Sequence, residues 1–400
     1  MPQPAAFPIV TLGLILLTAC LVAMVCRRLR LPYAVGLVVA GAALAFLPIR
    51  AELHLSRELI FTVLLPPLVF EAALSIHWAP FRRELPATLL LAFPGVAIGA
   101  GVVALGTHWL IGWGWIGAGL FGVLIAATDP VSVIAAFRET PVQPRLALLV
   151  EAESLLNDGA ASVGFAVLTA VAVGAGGGAA FVGGTLVWTI AAGVGAGMAV
   201  AALLLLIAGR TEDHFVEITL TTLAAYGSFL LAERVGGSGV LGSLTAGLLV
   251  GNFGWTRSIS EAGREHVRAF WDFAAFLANS VVFILIGSEE ARQPLGGALL
   301  IAVVAIPLVL VGRAASVYPL STLLARTALR IEPRYAHVLV WGGLRGALAL
   351  ALALAVPPEV PERSAIVVAA FIVVAFSVIV QGLSVPWLVR RLRVRVADEG

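Results

Sequence analysis

AATDPVS at residues 126–132 and ESLLND at residues 153–158 are short polar phrases set inside apolar runs, and they decide how the rest of the chain is read. A carboxylate in hydrocarbon costs about 3 kcal/mol on the mildest insertion scale, and more on others. Asp129, Glu151, Glu153 and Asp158 nevertheless fall within thirty residues of one another. Intramembrane acids of this kind mark ion or proton pathways. The first expectation is therefore a cation site.

Composition supplies the membrane. Of 400 residues, 60% are hydrophobic and 12% charged, and mean hydropathy is +1.03. A soluble domain carries about a quarter of its residues as charges, so the chain reads as an all-α polytopic membrane protein. A net charge of +2 gives no reason to expect a nucleic-acid partner. All 25 basic residues are Arg, which removes lysine chemistry such as a Schiff base. Cys20 and Cys26 lie on the first apolar run and read as inert apolar residues rather than a disulfide. Leu17-Thr18-Ala19-Cys20 resembles a lipoprotein cleavage box. No basic residue precedes it and the run continues to Arg27, which argues against a signal peptide.

A membrane span takes about 20 apolar residues. Breaks at charged and Gly/Pro clusters give thirteen spans, near 8–26, 31–49, 57–77, 86–110, 113–137, 145–173, 180–209, 214–233, 238–253, 267–288, 294–323, 335–356 and 363–389. An odd count puts the termini on opposite sides. With the N-terminus outside, eighteen arginines fall on inside segments: Arg27, Arg28, Arg30, Arg82, Arg83, Arg138, Arg145, Arg210, Arg257, Arg264, Arg268, Arg326, Arg330, Arg334, Arg390, Arg391, Arg393 and Arg395. Five fall outside: Arg50, Arg57, Arg234, Arg292 and Arg363. The positive-inside rule then predicts a cytoplasmic C-terminus. The expected unit is one membrane-embedded domain over 1–400, its core near 57–173 and 267–389, with no soluble regulatory domain.

Within span 5, Pro130 lacks an N–H and disfavours helical geometry at Asp129, so the helix should unwind there. Secondary transporters build cation sites from such broken helices. On span 6, residues four apart share a face. Ser154 therefore aligns with Asp158, and Glu153 with Asn157. Together with Thr128 and Asp129 they form a set of hard oxygen ligands suited to an alkali cation, and no His or Cys cluster accompanies them. Glu151 lies near the end of its span and lines an access funnel. Arg313 in span 11 and Arg345 in WGGLRG at 341–346 are intramembrane cations, each needing a carboxylate or carbonyl partner. The glycines around Arg345 suggest a second irregular helix. Glu71 follows the double proline of LLPPLVFE at 64–71 and serves either as a further ligand or as an arginine partner. Asn279 and Ser280 are modest polar contacts, and His77, His108, His214, His266 and His337 sit near span ends.

The phrases LLPPLVFEAAL at 64–74, AATDPVSV at 126–133, ESLLNDG at 153–159, SGVLGSLTAGLLVGN at 238–252 and WGGLRGALALALA at 341–353 together resemble the monovalent cation:proton antiporter family, in its bacterial NhaP-type and animal sodium/proton exchanger branch. The resemblance runs from span 3 to span 12. It implies two inverted six-helix repeats, a homodimer, and crossed broken helices at spans 5 and 12. It implies that Asp158 is the ion- and proton-binding carboxylate, supported by Thr128, Asp129 and Ser154, and that Asn157 marks an electroneutral branch. Glu153 matches an acid that pairs with an arginine of span 11, here Arg313, so Glu153, Arg313 and Arg345 form the expected ion-pair group. Animal exchangers carry an acid where Asn279 stands, and a regulatory tail that this chain lacks.

The function expected is exchange of one Na+ for one H+ at Asp158 by alternating access in the plasma membrane, with no cofactor and no enzymatic chemistry. Lithium and potassium stay open as ions, because they use the same oxygen ligands. A cation channel is the alternative from another class. A hydrolase built on Ser154 or Ser132 would need a mid-span histidine.

Overall fold

An α-helix satisfies its own backbone hydrogen bonds within one segment, so apolar stretches placed in lipid fold into helices. The computed structural model describes residues 9–29, 31–46, 58–130, 133–134, 137, 141–176, 178–209, 212–254, 259–290 and 295–394, and every regular element among them is helical. Arg30, Arg50, Arg57, Arg138, Arg210, Arg257, Arg292 and Arg395 of the charge count, with Ser132, lie outside the described residues.

In chain order the helices are α1 Ile9–Leu29 and α2 Tyr33–Ala45, α3 Leu59–Ser75, α4 Trp78–Ile111, α5 Trp115–Leu124, α6 Pro144–Ala172, α7 Ala179–Ala208, α8 His214–Arg234 and α9 Gly239–Leu249. They continue with α10 Glu261–Glu290, α11 Leu295–Leu323, α12 Pro333–Trp341 and α13 Ala347–Leu354, and α14 Arg363–Leu392. Eight described helices are long and apolar enough to cross a membrane: α1, α4, α6, α7, α8, α10, α11 and α14. Helices α2, α3, α5 and α9 are apolar but shorter. Each of the thirteen predicted spans overlaps a described helix. Span 4 was expected from residue 86, yet α4 begins at Trp78. Hydropathy detects only the apolar part of a helix, while Arg82, Arg83 and Glu84 extend it at its polar end.

Two helix pairs set the frame: α4 packs along α11, and α2 along α10. At the second contact a Cβ on Gly41 would collide with the Ile284 carbonyl, and one on Gly287 with the Val38 carbonyl. Small residues here let two backbones touch, as membrane helices do when burial in lipid offers no drive to pack.

Both predicted breaks are present. Helix α5 ends at Leu124, a last turn carries Ile125 and Ala126, and the chain runs on without helical bonding from Ala127 through Asp129. Pro130 starts the next turn, its carbonyl accepting from Ile134 N at 2.8 Å, which suits a residue whose own N–H is missing. In the other span, α12 stops at Trp341 and α13 starts at Ala347, leaving Gly342–Gly346 unwound. The breaks cross. Asp129 N donates to Leu344 O at 2.8 Å.

Candidate functional site

A crossing of two unwound segments leaves orphan backbone groups inside the protein, and each needs a partner. Helix α14 provides two. Ser377 Oγ accepts from Arg345 N at 2.7 Å, and Gln381 Nε2 donates to Trp341 O at 2.8 Å. Both side chains lie on a π-turn of α14, Ser377–Gln381, a distortion common at functional sites. Neither residue was singled out from the sequence. The signal was there: a Ser and a Gln four apart on an otherwise apolar helix share one face.

Gly346 is needed at the crossing because a Cβ there would lie 2.5 Å from Asp129 Cβ. With Gly346 in place the Asp129 backbone reaches the break of the other span. Asp158 of α6 faces the same point and lines one cavity with Thr128, Asp129 and Gly346.

The α6 residues form a directional network with the first break. Asn157 Nδ2 donates to Glu153 Oε1 at 2.6 Å and to Thr128 Oγ1 at 3.0 Å. Thr128 Oγ1 donates to Ser154 Oγ at 3.1 Å. That order leaves Ser154 Oγ a lone pair for a further contact. Thr128, Glu153, Ser154 and Asn157 are all buried, whereas Asp129 and Asp158 are only partly covered. Among these buried groups Asn157 Oδ1 is left without a partner, and the two aspartates line a cavity.

Arg313 of α11 closes the network from the other side. Its Nη1 and Nη2 grip Glu153 Oε1 and Oε2 at 2.5 and 2.7 Å. Nε and Nη2 also donate to Leu339 O. A two-pronged pair of this kind is the strong form of a charge-assisted hydrogen bond. Arg345, expected in the same group, lies within reach of the Glu153 charge, and its own hydrogen bond goes to the backbone. Its Nη1 turns onto the Gly343 carbonyl, which the break leaves out of any helical ladder, and the Arg345 Nε is buried without a partner. The guanidinium sits where helices α5 and α12 end. A cation is favourable at those helix ends even with no carboxylate paired to it.

The aspartates open into a cavity of about 60 Å³ whose lining includes Glu71, Thr128, Asp129, Asp158, Asn279 and Gly346. Glu71 and Asn279 thus join the site across the cavity from α6. Glu71, expected either as a further ligand or as an arginine partner, lines the same cavity as Asp158. On the opposite side of the crossing a smaller cavity of about 20 Å³ touches Arg313, Ser316 and Arg345. Glu151 lies elsewhere, as its funnel reading expected. It accepts from Ser75 Oγ at 3.3 Å and lines a wide opening with His77, Arg83, Glu84 and Arg145. Among the described residues no cluster of three or more His, Cys, Asp and Glu side chains could hold a metal ion. The histidines keep to span ends: His108 stacks on Trp115, His214 on His266, and His337 bonds Tyr318.

Comparison with known proteins adds an independent line. The family model described as sodium/hydrogen exchanger, transmembrane, matches residues 15–391. The Na(+)/H(+) antiporter ApNhaP of Aphanothece halophytica is 39% identical over 91% of this chain and 70% of its own length. The Na(+)/H(+) antiporter NhaP of Pseudomonas aeruginosa is 33% identical over 84% of this chain and 81% of its own. Among solved structures, the sodium proton antiporter MjNhaP1 from Methanocaldococcus jannaschii at pH 8 superposes with a TM-score of 0.79. It covers 96% of this chain and 98% of that one at 19% identity, a likeness of fold.

Proposed function

The chain belongs to the transmembrane sodium/hydrogen exchanger family, and from that premise we propose that it is a sodium:proton antiporter whose Asp158 carboxylate holds Na+ and H+ in alternation. The observation that carries the reading is the division of labour among the acids. Glu153 is matched by Arg313, while Asp129 and Asp158 face the cavity. Sodium would take Asp158 together with Ser154, Thr128 and Asp129, with Glu71 close by on the same cavity. Asn157 holds Thr128 and Glu153 in place and brings no charge of its own.

Charge counting supports one-for-one exchange. In this reading Asp158 is the one acid that titrates, and it carries a single negative charge. Either one Na+ or one H+ neutralises it, so the loaded site is neutral in both directions and transport is electroneutral. Crossed broken helices with their binding site between them suit movement of one helix bundle against another around a fixed site. Thirteen spans in two inverted six-helix repeats, a homodimer, and a plasma-membrane location with the N-terminus outside complete the reading. Potassium in place of sodium is the nearest alternative, because oxygen ligands serve both.

Asp158→Asn in proteoliposomes tests the assignment. Sodium-driven proton movement is expected to vanish while the purified protein keeps its Tm and its oligomeric size. Exchange retained by that variant would remove Asp158 from its role. Running sodium, lithium and potassium in parallel reads the selectivity.

A further inference from the structure

Glu362 and Arg363 stand at the start of α14, and each side chain ignores its own helix. Glu362 occupies the N-cap position of α14 yet makes no capping bond there. The shorter Asp, Asn, Ser and Thr are the side chains that cap a helix from that position, and the longer Glu362 is free to reach another. Its Oε1 instead accepts from Gly114 N at 2.8 Å, at the N-terminus of α5. A Cβ on Gly117 would lie 2.5 Å from the Glu362 Oε2, so the carboxylate covers the first turn of α5. Arg363 is the first residue of α14, where a cation is opposed by the helix dipole. Its Nε donates to Val356 O at 2.9 Å, just beyond the C-terminal end of α13. The acid therefore meets a positive helix end and the base a negative one, on two different helices.

Those helices are the halves of the two broken spans on the far side of the crossing from α12. We infer that Glu362 and Arg363 form a clamp that fixes the far ends of α5 and α13 to one another, and so positions the unwound segments that build the ion site. The two are positioning residues, acting through the helices and not on the ion. The inference rests on the crossing being the transport site. Neighbouring charges do not duplicate the clamp: His108 is turned onto Trp113 O and Trp115.

The test is sodium-driven proton exchange in proteoliposomes, with amide hydrogen exchange on the same preparations. Glu362→Gln and Arg363→Gln are expected to raise the apparent sodium KM about two- to fivefold, the range for a charge lost from a helix end, with maximal rates within about twofold of the parent. Glu362→Asp should fall between. Amide exchange should quicken over 115–124 in the first variant and over 347–354 in the second. Native KM and native protection in both would overturn the clamp. Should Glu362→Gln fail to fold, a cysteine pair decides. The Glu362 Cβ lies 3.3 Å from a Cβ built on Gly117, near disulfide geometry. Gly117→Cys with Glu362→Cys, in a Cys20→Ala, Cys26→Ala background, should show native KM when oxidised and a raised KM when reduced. The same KM in both states overturns the proposal. If the parent itself moves no protons with sodium, the proposed exchange fails, and hydrogen exchange still reads the clamp.

Discussion

Asn157 donates in two directions at once, so its amide has only one workable orientation. Asn157→Asp would replace a donor with an acceptor facing Glu153 and Thr128. A loss of about 2–3 kcal/mol is expected from the unmet buried groups, read as a lowered Tm in detergent. Arg313→Met should cost more, about 3–5 kcal/mol, because it strands a buried carboxylate. Adding Glu153→Leu to that variant should recover part of the loss, since the stranded charge is then gone. At this scale the sequence was informative about residue type and less so about pairing. Helical spacing aligned Ser154 with Asp158 and Glu153 with Asn157 because both pairs lie on one element. Which arginine faces Glu153 depends on how α11 packs beside α6, and spacing along the chain carries no such distance. The family resemblance named Arg313. Arg345 found its partner in a carbonyl exposed by its own helix break.

The elements that matter are the two interrupted helices and the braces that hold them. Proline after an acid, and three glycines around an arginine, were enough to place both interruptions, because each acts locally on its own backbone. The braces were not legible in this way. Ser377, Gln381 and Glu362 serve helices far from them in sequence, and Arg363 a carbonyl in the loop just before it. Gly346→Ala tests the crossing itself. The added methyl would press on Asp129, so exchange is expected to fall more than tenfold, on the scale set by a misplacement of about 1 Å, while Tm drops modestly. Ser377→Ala removes the partner of the Arg345 N–H and should lower stability by about 1 kcal/mol, visible as a small Tm shift with exchange retained.

For the whole molecule, hydropathy read the membrane class at once, because 60% apolar residues leave no other solvent for the chain. It was weaker on lengths. Broken and short helices such as α5, α12 and α13 fall below the length of a full span, and hydropathy windows merge their halves. A neutral loaded site has a consequence at this scale: the initial exchange rate should not change when a potassium diffusion potential is imposed across proteoliposomes. The most direct test lies in the competition itself. If one carboxylate takes either ion, acidification removes sodium-ready sites without changing the rate of the sodium-loaded protein. Initial rates over a range of sodium concentrations at a series of pH values should then give a KM that rises about tenfold for each pH unit on the acid limb, as single-site proton competition requires, at a constant maximal rate. A KM that holds steady while the maximal rate falls would contradict a shared site at Asp158.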